Sequence, residues 1–67
     1  MAALKAWRLD EARRRGVPAF RILTDRTLVA IAADSPQSKD ALLRVSGMGP
    51  KTVESYGDAL VALCRAD

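Results

Sequence analysis

The chain has 67 residues, 49% of them apolar, with 11 basic against 8 acidic side chains and a net charge of +3. One small domain of this size buries only about 60% of the surface its unfolded chain exposes, which leaves little core for a deep substrate cleft and favours a binding module over an enzyme. Histidine is absent and Cys64 is the only cysteine, so a disulfide framework, a zinc knuckle and any Ser-His or Cys-His catalytic arrangement are unavailable within the chain.

No apolar run approaches the roughly 20 residues needed to cross a bilayer, and the N-terminus lacks a signal-peptide core. The expectation is a cytoplasmic fragment of a larger protein in a reducing compartment, with no cofactor and no metal. The charge is unevenly placed. Residues 1–33 carry seven basic side chains against three acidic, whereas residues 34–67 carry four against five, so the basic surface belongs to the first half.

In chain order, the pattern predicts a first helix over about Ala2 to Arg15, stopped at Gly16 with Pro18 two residues beyond. Leu4 and Trp7 share a face that Ala12 only flanks, while Leu9 points away, which makes Trp7 the expected anchor in the core rather than an exposed stacking platform. Arg13, Arg14 and Arg15 close this helix. There they complement the dipole, with Asp10/Arg14 and Glu11/Arg15 at the favourable i,i+4 spacing, and they also offer a phosphate-contacting patch.

Residues Pro18 to Leu23 are apolar but too few for a stable helix and have no partner strand, so a 3₁₀ turn or extended connector is expected. Thr24 or Asp25 then caps a second helix to about Ala33 that buries Leu28, Ile31 and Ala32, and Ser35-Pro36 ends it. Ser38 caps a third helix, with Asp40 in its first turn and Leu42 and Val45 inward.

A fourth helix is expected from about Pro50 to Arg65, with Val53, Tyr56, Leu60 and Leu63 or Cys64 along one stripe. Cys64 reads as a small core or semi-buried hydrophobe. The hinge Gly47-Met48-Gly49 between two apolar helical runs gives a helix-hairpin-helix pattern. Its first glycine is suited to positive φ, its second to close approach of a backbone or phosphate, and Pro50 to a first helical turn. Loop amides at such a helix start can hold a phosphate oxygen, although an ordinary tight turn that binds nothing has the same pattern.

Trp7-Arg8, the segment Gly16-Val17-Pro18-Ala19-Phe20, Asp25-Arg26-Thr27-Leu28, Pro36, and Gly47-Met48-Gly49 followed by Lys51 and Tyr56-Gly57 together resemble the HRDC domain, the helicase and RNase D C-terminal module. The resemblance covers nearly the whole chain. It implies an all-α fold: a small orthogonal bundle of four main helices plus a short 3₁₀ connector, with a helix-hairpin-helix-like C-terminal half. It also implies a non-catalytic accessory domain of a RecQ-type or UvrD-like helicase or of ribonuclease D. The partners it implies are single-stranded or structured DNA and the rest of the parent helicase, with the domain a monomer and no membrane involved.

Members that bind single-stranded DNA use an aromatic residue of the connector, which falls here on Phe20, together with nearby basic residues, here Arg21 and Arg13 to Arg15. Phe20 buried under the connector is the competing expectation. After the hinge many members are basic at the positions of Thr52 and Ser55. This chain keeps only Lys51 there, flanked by Glu54 and Asp58, which moves the expected site toward the first half. A protein-interaction or intramolecular docking module is the alternative on the same fold.

Overall fold

A computed structural model describes residues 2–66. Five helical segments follow one another: α1 (Ala2–Arg15), α2 (Ala19–Ile22), α3 (Asp25–Asp34), α4 (Lys39–Leu43) and α5 (Pro50–Arg65). No strand occurs among the described residues. The molecule measures 28 × 24 × 19 Å.

Local chemistry fixes the ends of these elements. Gly16 adopts φ +67; its N–H donates to the Arg13 carbonyl at 3.3 Å, and the Val17 N–H donates to the Ala12 carbonyl at 3.0 Å. This pair of bonds is a Schellman closure, which uses the glycine to satisfy carbonyls that the helix leaves without partners. The N-cap of α3 is Thr24, whose side chain accepts from the Thr27 N–H, and that of α4 is Ser38, which accepts from the Ala41 N–H. Gly49 occupies the corresponding position of α5 without a side chain to cap it, and Pro50 takes the first helical position.

The segment expected as a 3₁₀ or extended connector is a single helical turn, α2. Its first bond, Arg21 N–H to the Pro18 carbonyl, spans three residues, and its last, Leu23 N–H to the Ala19 carbonyl, spans four. Isolated, four residues cannot recover the cost of nucleating a helix. Here Ile22 and Leu23 are buried in the shared core and hold the turn in place.

Leu28, Ile31, Leu42 and Leu60 are fully buried at the centre, joined by Leu4, Val45 and Val53 as their spacing indicates. Burying each large aliphatic side chain contributes about 1.5 to 3 kcal/mol. Five placements differ from expectation. Trp7, Ala32, Tyr56 and Leu63 are only partly buried, at the edge of the core, whereas Ala12, the presumed flank of α1, is 97% buried by its 3% exposure.

The buried line of α5 runs through Val53, Gly57, Leu60 and Cys64. A Cβ on Gly57 would crowd the Val53 Cγ1 at 3.1 Å and touch the Lys39 stem of α4, whose Cγ would lie 3.4 Å away. The Lys39 ammonium continues to Asp58 at 2.8 Å.

Candidate nucleic-acid interface

Phe20 is the most exposed of the large apolar side chains, at 64%. One helical turn separates its fate from that of its neighbours: Ile22 and Leu23 enter the core, while Phe20 and Arg21 remain outside. An exposed phenyl ring beside an exposed guanidinium offers a base-stacking face next to a phosphate partner. The burial expected as the alternative for Phe20 does not occur.

Arg8 anchors this ledge. Its Nη1 donates to the Leu23 carbonyl at 2.9 Å and lies 2.7 Å from the Asp25 carboxylate, with 12% of the side chain exposed. A helix-one arginine therefore fixes the α2–α3 junction from below. Sequence reading placed Arg8 in a motif without assigning it a role, because its partners lie 15 and 17 positions away.

The end of α1 is more organised than a run of solvated cations. Glu11, itself 13% exposed, holds Arg14 at 2.9 Å and Arg15 at 3.1 Å. Arg14 thus pairs at i,i+3 with Glu11 instead of at i,i+4 with Asp10. The Arg15 guanidinium also lies 5.0 Å from the centre of the Tyr56 ring. Tyr56 in turn meets Trp7 edge-on, with ring centroids 5.3 Å apart. Arg13 is exposed and has no ion pair among the described residues.

The hairpin loop occupies a different place. Val45 and Met48 are linked by the Met48 N–H to Val45 carbonyl bond, and Gly47 within that turn has φ +89, the signature of a type II turn. A Cβ on Gly47 would overlap the Thr27 hydroxyl. The loop therefore seats on the first turn of α3. Gly49, with open space around its Cα, contributes no such close approach within the protein. Lys51 is exposed in the first turn of α5. Five residues separate it from Tyr56, which places the two about 140° apart around the helix, so Lys51 and the Arg15–Tyr56 cluster occupy different sides of α5.

The model of the HRDC domain family matches residues 1–64. The chain belongs to the HRDC family. HRDC domains are non-catalytic accessory modules of helicases and ribonuclease D.

The chain is 42% identical over 62 residues to ATP-dependent DNA helicase UvrD2 of Mycobacterium tuberculosis, covering 92% of this chain and 9% of that protein. It is 40% identical over 60 residues to ribonuclease D of Pseudomonas paraeruginosa, covering 90% of this chain and 16% of that protein. Among solved structures, D. radiodurans RecQ HRDC domain 3 superposes with a TM-score of 0.92 at 32% identity, covering 97% of this chain and 86% of that one. The HRDC chain thus spans a small part of the curated relatives it matches. No helix among the described residues is long and apolar enough to cross a membrane.

Proposed function

We propose that this HRDC domain is an accessory nucleic-acid-binding module of a larger cytoplasmic DNA helicase, giving weak, salt-sensitive affinity for single-stranded or junction DNA and tuning the parent enzyme's choice of substrate. The observation that carries the reading is the Phe20 ring, 64% exposed on α2 beside the exposed Arg21. An exposed aromatic face is a platform on which a base of any type can stack. Arg13 to Arg15 supply the charge, Phe20 the stacking face and Lys51 a secondary contact. The Gly47-Met48-Gly49 loop offers backbone amides.

Contact with about three phosphates of a single strand gives a slope of log K against log salt near −2, from about −0.7 per phosphate. Phe20→Ala weakens binding while leaving that slope unchanged, because stacking releases no counterions. Fluorescence anisotropy of a labelled single strand across a salt series measures both. A Phe20→Ala protein that binds as wild type removes the ring from the site.

A second reading is a docking module for the parent enzyme or another protein. It is supported by the pairing of Arg14 and Arg15 with Glu11 and by the exposure of Leu9, Val29 and Leu43. Absence of binding at low salt replaces the first reading with this one.

A further inference from the structure

Among the described residues, the Arg26 side chain takes part in none of the hydrogen bonds or ion pairs that organise the first half of the chain. It occupies the second position of α3, is exposed, and has no ion pair among the described residues. A cation there opposes the positive end of the helix, where an acidic side chain is favoured. Its neighbour Asp25 is already engaged by Arg8. A residue that breaks a local rule with no compensating contact points to a use outside the fold.

Its position supplies that use. At 100° per residue around α3, Asp25 lies on the side where α1 supplies Arg8, and Thr27 on the side where Gly47 is seated. Arg26 falls between them on the solvent face. On one side of it is the α2–α3 junction, which follows the turn of α2 that carries Phe20 and Arg21; on the other is the Gly47–Gly49 loop leading to Lys51.

We propose that Arg26 is a phosphate contact that joins the Phe20–Arg21 ledge to the hairpin loop, so that a bound single strand of DNA crosses the start of α3. This rests on the nucleic-acid reading above and adds to it a residue and a path. The two groups of residues otherwise on separate elements become one track, with a base stacked at Phe20 and the neighbouring phosphates passing Arg21, Arg26 and the loop amides in turn.

The test compares Arg26→Gln with wild type using a labelled single-stranded oligothymidylate. Thermal unfolding of the variant matches or exceeds that of wild type, because the substitution removes an unfavourable charge from the helix start. Binding weakens severalfold at low salt, and the salt slope becomes shallower by about 0.7, the share of one phosphate. In NMR titrations of wild type, the amides of residues 47–49 and those around Phe20 shift together; in Arg26→Gln the loop shifts fall away first. Unchanged affinity and slope in Arg26→Gln, against a wild type that binds, overturn the path while leaving the module a DNA binder. A wild type that does not bind overturns the functional reading itself and the path with it.

Discussion

Gly47 and Gly16 both hold positive φ, +89 and +67, yet their surroundings differ. A Cβ on Gly16 would meet nothing within 4 Å, whereas one on Gly47 would meet the buried Thr27 side chain. Left-handed backbone costs a residue with a Cβ about 1 to 2 kcal/mol at either site, and overpacking adds about 1 to 3 kcal/mol at Gly47 alone. Gly47→Ala therefore lowers stability more than Gly16→Ala, and Thr27→Ala in the Gly47→Ala background restores part of the difference. Urea midpoints of the four proteins decide it; equal losses for the two glycine variants mean that Thr27 moves aside freely. The positive φ of Gly47 was legible from its place after an apolar helical run. The Thr27 contact was not, because it depends on how α3 and the loop meet in space.

At the level of elements, the three N-termini of α3, α4 and α5 form a natural comparison. Thr24 and Ser38 each accept a backbone N–H three residues on, while Gly49 sits in the same extended conformation, φ −120 and ψ 169, with nothing to offer. Space around Gly49 is open. Gly49→Ser supplies the missing acceptor for the Thr52 N–H and restricts the unfolded chain, for a gain of about 0.5 to 1 kcal/mol. If the loop amides hold phosphate, the same variant loses DNA affinity as it gains stability; binding equal to wild type places the strand elsewhere.

The caps and stops of α1, α3 and α5 could be read from Gly16, from Thr24 or Asp25, of which Thr24 is the cap, and from Pro50, since each acts on the stretch of backbone next to it. The turn of α2 could not, because four residues carry no periodicity. Phe20, Ile22 and Leu23 are alike in chemistry, and only their packing against α1 separates the ring that faces water from the two side chains that do not.

Across the whole molecule, the uneven charge of the sequence becomes a division between the end of α1 and the start of α5. Three arginines stand against Glu11 at the first. At the second, Lys51 has Glu54 one turn away, while Asp58, counted from sequence as a further neighbour of Lys51, pairs with Lys39. Arg13→Gln with Arg14→Gln therefore reduces single-strand affinity more than Lys51→Gln does, and both retain the wild-type melting temperature, because Arg15, which lies over Tyr56, is left in place. Titrations of the three proteins at one low salt concentration rank the sites. A Lys51 variant that loses more than the arginine pair puts the hairpin at the centre of binding. The overall bundle was accessible from sequence through its order of helices, and so was the Glu11–Arg15 pair through its i,i+4 spacing, whereas the partners of Arg8, the i,i+3 pairing of Arg14 and the place of Arg15 over Tyr56 were not, since spacing alone leaves several partners open.

The edge contact between Trp7 and Tyr56 has an optical consequence. These are the only indole and the only phenol of the chain, and they meet where α1 is joined to α5. Closing so long a loop is a separate entropic step from winding the short helices between them. Tryptophan emission therefore registers the moment at which the two ends of the chain come together. Because Arg15 rests on the same phenol, a polyanion that draws the guanidinium away alters the same light: the domain carries its own reporter for closure and for occupancy of the α1 end.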